Sequence, residues 1–335
     1  MTTPIVRTVD IGKLMQCKDD QSVQENIASL DDTVQLIANA AEECGFFYIE
    51  NHGVAPELLQ GLQDTMKTFF ALPQDVKNVI RRKETNPTGY FDAELTRNVV
   101  DWKEMFDYAQ FLERQPSPSN FHNQWPPDEL IPNFRKRVIQ MNLIMENIAR
   151  RICMMLAVGL GQPFDFFDKF FGVQDPIDFC SGNSSTLRLN HYPISSNTST
   201  ALGVHPHTDL GAVTILLQDD AISALQVYHP DSSTWVPVPP IQNTFIVNLG
   251  DMMQVWSNDK YRAPMHRVLS TEKKDRYSAP YFYHPFMNST IEPISVNGEE
   301  PHYRPIVWLE FLMERVKGNY VDIGEEVQIN RYRIS

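Results

Sequence analysis

His205-Pro-His-Thr-Asp-Leu-Gly-Ala-Val-Thr214 sets two histidines and an aspartate close together and runs straight into the apolar Ala212-Val-Thr-Ile-Leu-Leu217. Imidazole and carboxylate are ligands for transition metals. A short apolar run bounded by turn residues reads as a buried strand. On a strand, residues two apart point to the same face, so His207 and Asp209 should project together. His205 shares that face, and spacing alone leaves it open as a ligand. His207 is preferred because His-x-Asp lets both side chains reach one ion.

The surrounding chain gives that strand its context. From about residue 184, strand-like runs alternate with Gly, Pro, Asn and Asp: TLRLNHY, AVTILLQ, ALQVYH, WVPV, TFIVNLG, MMQVW, HRVLS and RYSAPYFYHP. Many short strands with such punctuation predict an all-β sandwich or barrel. The front half reads as helical. Val34, Ile37, Ala38 and Ala41 recur at helical spacing up to Gly45, followed by the strand-like Phe46–Asn51. Leu58, Leu59, Leu62, Met66, Phe69 and Phe70 mark a second helix, ending before Pro73, and Asn86–Gly89 reads as a turn. A long helix begins near Pro132, with Phe134, Val138, Met141, Met145, Ile148, Ile152 and Met155 on one stripe; Gly159 and Gly161 end it. Pro305 to Gly318 reads as a closing helix. The expected fold class is α+β with a mainly β core, one domain over 1–335. It comprises an N-terminal helical and strand region (1–120), a strand-rich core (180–295) and the C-terminal helix (305–318).

A third metal ligand must come from elsewhere in the barrel. His266, in Ala263-Pro-Met-His-Arg-Val-Leu-Ser270, is the best candidate. Two imidazoles and one carboxylate on one side of an ion leave the other side open, as in non-haem Fe(II) oxygenases. A closed four-ligand structural site would not. Arg276 and Ser278 share a strand face by the same alternation. A guanidinium recognises a carboxylate with two hydrogen bonds, and buried in a barrel it needs an anionic partner. Arg188, Asn190 and Tyr192 fall on one face of their strand, with Leu187, Leu189 and His191 on the other, predicting a polar interior that lines a ligand.

Composition narrows the partners. The 335 residues are 42% hydrophobic and 21% charged, with a net charge of -13. That supports a sizeable core, and the acidic balance argues against nucleic acid and membrane surfaces. No apolar run is long enough to span a bilayer, and neither end carries a recognisable targeting signal. Cys17, Cys44, Cys153 and Cys180 are far apart, as expected of reduced thiols. The expectation is a cytoplasmic monomer acting on a small molecule.

As a set, His207-x-Asp209, His266 and Arg276-x-Ser278 resemble the 2-oxoglutarate- and Fe(II)-dependent dioxygenases. The similarity is to the plant and fungal branch with flavonol synthase, anthocyanidin synthase, gibberellin oxidases, ACC oxidase and isopenicillin N synthase. Cys44–Val54 resembles this branch's N-terminal signature. Asn190-His-Tyr-Pro193 resembles its Asn-Tyr-Tyr-Pro strand, with His191 in place of the first Tyr. Phe245–Val268 resembles the stretch leading to the last ligand, so the resemblance covers most of the chain.

The resemblance implies a double-stranded β-helix, or jelly roll. It implies Fe(II) on the catalytic residues His207, Asp209 and His266. The distal carboxylate of 2-oxoglutarate would sit on Arg276 and Ser278, helped by Tyr192 and Asn190. Phe282, Arg188 and His284 would lie at the substrate, and Arg188 would suit a carboxylated or phenolic molecule. The implied reaction uses O2, with ascorbate as reductant. It couples decarboxylation of 2-oxoglutarate, to succinate and CO2, with hydroxylation, desaturation, dealkylation or ring closure of a secondary metabolite. Two other readings stand beside it. One is an Fe(II) oxidase that uses no 2-oxoglutarate, as in ACC oxidase and isopenicillin N synthase, which also carry Arg-x-Ser. The other is a non-catalytic ligand-binding jelly roll, against which an intact triad argues.

Overall fold

The computed structural model describes residues 6–83, 85–114, 121–171, 183–196, 202–219, 222–294, 298–322 and 324–334. Cys180 lies outside the described residues. The strands of the two main sheets are, in chain order, β1 (Arg7–Asp10), β2 (Phe46–Glu50), β3 (Gly89–Phe91), β4 (Glu104–Ala109), β5 (Thr186–Tyr192), β6 (Leu202–His207), β7 (Val213–Gln218), β8 (Leu225–His229), β9 (Thr234–Pro237), β10 (Phe245–Leu249), β11 (His266–Leu269) and β12 (Arg276–Tyr283). The larger sheet has the order β1-β2-β10-β7-β12-β5-β4-β3, and the smaller β9-β8-β11-β6.

Period-two alternation gives the larger sheet two unlike faces. Phe47, Ile49, Leu187, Leu189, Val213, Ile215, Leu217, Phe245, Val247 and Tyr281 point to one side. There they meet the helices α1 (Asp31–Glu43), α2 (Pro56–Phe70) and α3 (Phe134–Gly159). The α3 stripe from Phe134 to Met155 is buried in this core, as the sequence predicts. Each such side chain contributes roughly 1.5–3 kcal/mol by leaving water. On the other side, Phe46, Tyr48, Tyr192, Leu216 and Ile246 face Val204, Leu225, Val227 and Val268 of the smaller sheet. The two sheets thus close over a narrow interior as a jelly roll, with helices on the outer face of the larger one.

Three differences from the sequence reading have physical causes. The front half is not merely helical, because β1 to β4 supply half of the eight-stranded sheet. β1 and β3 are too short to show alternation, and Glu104 and Asp107 break the apolar pattern of β4. Met252–Trp256 is not a strand but part of α4 (Asp251–Trp256). Apolar but for Gln254, so short a run cannot be assigned by period. The closing helix, α5 (Trp308–Gly318), starts later than Pro305, because Ile306–Val307 first pair with Thr290–Ile291. No helix among the described residues is long and apolar enough to cross a membrane.

Gly45 shows why α1 stops where it does. Its φ is +68°, and a Cβ there would lie 2.1 Å from the Arg262 carbonyl oxygen. Only glycine allows the chain to leave α1 and enter β2 against that backbone.

Candidate active site

The metal-ligating residues converge through strand pairing. His207 ends β6, His266 begins β11, and the two are register partners across the antiparallel pair. Asp209 is not on the strand, as the two-residue alternation suggested, but in the turn between β6 and β7. Its Oδ1 lies 3.6 Å from Nε2 of both His207 and His266. The three residues form the one cluster of metal-ligating side chains found among the described residues. His205 is not in it; its Nδ1 meets Asp101 at 3.0 Å.

The surroundings fix each ligand's orientation. Nδ1 of His207 faces the His205 carbonyl at 2.8 Å, and Nδ1 of His266 faces the Pro264 carbonyl at 3.1 Å. A carbonyl only accepts, so each Nδ1 carries the hydrogen and each Nε2 keeps its lone pair for an ion. Burial pushes the His266 imidazole down to about 4, so it stays neutral and able to ligate. Asp209 Oδ2 accepts from Thr214 Oγ1 at 2.5 Å and Asn248 Nδ2 at 2.7 Å, leaving Oδ1 to face the imidazoles. Burial alone would raise this carboxyl; without an ion, a proton taken up by either imidazole, together with the Asn248 amide, holds it well below the usual range. The N-terminus of α4 grips the same turn, with Asp251 N–H donating to the Asp209 carbonyl at 2.7 Å. Asn248 and Thr214 escaped the sequence reading. Each is a polar residue at an inward position of an apolar strand, and that signal would have found them.

Deeper between the sheets lies an anion pocket. Arg276 and Ser278 on β12 pair with Tyr192 and Asn190 on β5, and all four side chains line the same narrow cavity as the triad. Arg276 is 1% exposed. Its guanidinium lies 4.8 Å from the Tyr192 ring centre and donates to Gln218 Oε1 at 3.2 Å and Ser278 Oγ at 3.4 Å. No carboxylate among the described residues pairs with it, and its Nε and Asn190 Oδ1 are buried without a partner. A buried cation with unspent donors fits a carboxylate ligand.

A second cavity, of about 320 Å³, opens on the outer side of His207 and Asp209. Phe282, Met287, Leu309, Leu312 and Val316 give it apolar walls, the last three from α5. Phe282 and Arg188 line both cavities. His284 lines the outer one, its Nδ1 meeting the Ser184 carbonyl at 3.3 Å; burial pushes its imidazole down to about 4.

Arg188 is not the free clamp for a substrate carboxylate that its position suggested. Its Nε and Nη2 donate to Asp107 at 2.7 and 3.0 Å, and its Nη1 donates to Glu94 at 2.8 Å. Lys103 reaches Glu94 at 2.8 Å and Asp101 at 2.9 Å, while Arg82 reaches Asp107 at 2.6 Å. Burial opposes the ionised form of Glu94, yet Arg188, Lys103 and Arg82 hold its carboxyl far below the usual range. Sequence reasoning missed every member of this cluster except Arg188. Its members lie on separate segments that only the fold brings together.

A family model described as the 2OG-Fe(II) oxygenase superfamily matches residues 183–285. A second, described as non-haem dioxygenase in morphine synthesis N-terminal, matches residues 8–128. The chain is 34% identical over 294 residues to jasmonate-induced oxygenase 1 of Arabidopsis thaliana, covering 86% of this chain and 70% of that one. It is 31% identical over 331 residues to homoarginine-6-hydroxylase 2-ODD-233 of Oryza sativa subsp. japonica, covering 93% and 97%. The crystal structure of JOX2 in complex with 2OG, Fe and JA matches with a TM-score of 0.79 at 26% identity, covering 99% of this chain and 90% of that one.

Proposed function

Because this chain belongs to the 2OG-Fe(II) oxygenase superfamily, and is an Fe(II)- and 2-oxoglutarate-dependent oxygenase, we propose that it hydroxylates a small molecule held in the outer cavity beside His207 and Asp209. The observation that carries this reading is the shared wall: His207 and Asp209, two of the three residues that would hold iron, also line a largely apolar cavity of about 320 Å³. The relatives support a small molecule, since one is a homoarginine hydroxylase and the JOX2 structure contains JA.

His207, Asp209 and His266 would hold the Fe(II), which when bound supplies the activation of O2 coupled to decarboxylation of 2-oxoglutarate. In this reading Arg276 and Ser278 take the distal carboxylate of 2-oxoglutarate, with Asn190 and Tyr192 beside it. The unpartnered Nε of the buried Arg276 supports that assignment. Phe282 would separate cosubstrate from substrate and, with Leu309 and Leu312, exclude water from the reacting C–H bond. A monomer suffices, since one chain supplies every group named. The free thiols of Cys17, Cys44 and Cys153 support a cytoplasmic setting.

The test begins without substrate. Fe(II) and 2-oxoglutarate, added to the apo-protein under argon, should give a weak lilac charge-transfer band that His266→Ala abolishes. Small molecules are then screened for succinate release in air. Iron binding without the band would overturn the assignment of 2-oxoglutarate to this pocket.

A further inference from the structure

The outer cavity carries cations that look ready for an acid, but their charge is already answered. Arg82, Lys103 and Arg188 face Glu94, Asp101 and Asp107, and no side chain of the six is more than 17% exposed. Three positive and three negative charges sum to zero. At the other side of the cavity Arg315 is answered by Asp251 at 3.8 Å and Glu326 at 3.9 Å. A carboxylate arriving here would add an unbalanced charge to a neutral, buried cluster close to Asp209, which is costly. An ammonium would fare no better, because both oxygens of Glu94 and of Asp107 already accept from cations.

Donors nevertheless remain. A guanidinium has five N–H groups and an ammonium three. Arg188 spends three on Asp107 and Glu94, and Lys103 spends two on Glu94 and Asp101. Both residues line the cavity, and the Arg188 guanidinium lies 5.8 Å from the Phe282 ring centre. A donor-rich but charge-balanced end beside apolar walls suits a neutral acceptor.

We propose that the substrate presents an uncharged hydrogen-bond acceptor (a carbonyl, ester or amide oxygen) to Arg188 and Lys103, and that Glu94 sets the preference for it over a carboxylate. This rests on the outer cavity being the substrate site.

The test uses the holoenzyme with Fe(II) and 2-oxoglutarate under argon and follows the lilac band as probes are added. The probes are matched sets: cinnamic acid, methyl cinnamate, cinnamamide and cinnamylamine, with decanoic acid, methyl decanoate, decanamide and decylamine. In the wild type the ester and amide should bind at least about tenfold more tightly than the acid and the amine, about 1.4 kcal/mol. Glu94→Gln leaves one cation unanswered and should tighten the acids by at least about tenfold. Asp107→Asn should give the same gain and serves if Glu94→Gln does not fold. Preference of the wild type for acids or amines, or no gain for acids in either variant, would overturn the inference. So would a normal band that no probe perturbs, with the oxygenase reading left standing. Absence of the band itself would strike the earlier reading instead.

Discussion

Asn248 decides which oxygen of Asp209 faces the two imidazoles. Its Nδ2 donates to Asp209 Oδ2 at 2.7 Å, and Oδ1 is thereby left 3.6 Å from both imidazole Nε2 atoms. Thr214 repeats the restraint from β7, the strand paired with β10. The carboxylate is thus oriented so that Oδ1, with the two Nε2 atoms, would hold the Fe(II).

Loss of that restraint should show in the metal itself. Asn248→Ala should weaken Fe(II) binding by roughly 10- to 100-fold, the usual cost of removing a partner of a metal ligand. Anaerobic titration with Fe(II) measures it, with thermal melting of the apo-protein as the check on folding. Unchanged iron affinity in a folded variant would mean Asp209 needs no help from Asn248.

Arg276 tests the inner pocket. If Arg276 holds the cosubstrate carboxylate through two charge-assisted hydrogen bonds, replacing it with Ala should cost roughly 3–6 kcal/mol in total at about 1.5–3 each. The 2-oxoglutarate affinity, read from the lilac band under argon, should fall by at least about a hundredfold. Iron affinity should hold, because Arg276 makes no hydrogen bond to a triad residue. Normal 2-oxoglutarate affinity in the variant would move the anion site elsewhere.

These two residues also mark how far the sequence could be read. Arg276 was legible because strand alternation pairs it with Ser278, and a buried guanidinium demands an anion. His207 and His266 were legible as residue types, but Asp209 reaches the imidazoles from a turn rather than from a strand face. The charge cluster was not legible: Glu94, Lys103 and Asp107 find Arg82 and Arg188 across strands whose pairing no spacing encodes. Helix α4 was hidden because Met252, Met253, Val255 and Trp256 are all buried, and an element buried all round loses its period.

His284 should leave a signature in the pH dependence of stability. Burial sets its folded pKa at about 4, below the ordinary histidine value of about 6.5. Its contribution is complete above pH 6.5 and is lost as pH falls towards 4, because the unfolded chain takes up a proton that the folded chain refuses. Asp251, raised by burial to about 6, acts in the opposite sense over part of that range. A comparison with His284→Gln therefore isolates the histidine. Between pH 6.5 and 4 the wild-type apo-protein should lose on the order of 3 kcal/mol more stability than the variant. Denaturant midpoints at each pH measure this, and parallel curves would show that His284 is not held neutral.

Phe282 stands between the two cavities, and its removal should separate binding of cosubstrate from use of substrate. The ring lines both cavities from β12, four residues beyond Ser278 on the same strand face. In Phe282→Ala the wall opens while Arg276, Ser278 and the triad keep their hydrogen bonds. The 2-oxoglutarate affinity should hold. The substrate loses an apolar surface worth roughly 1.5–3 kcal/mol, so its apparent affinity should fall about tenfold or more. A loosely held substrate also misplaces the reacting C–H bond, so succinate should form in excess of oxidised product. Phe282→Leu keeps most of the wall and should restore much of the coupling. The product-to-succinate ratio, once a substrate is in hand, decides the matter. A ratio that stays at the wild-type value in Phe282→Ala would place the substrate away from this wall and shift attention to the α5 side of the cavity.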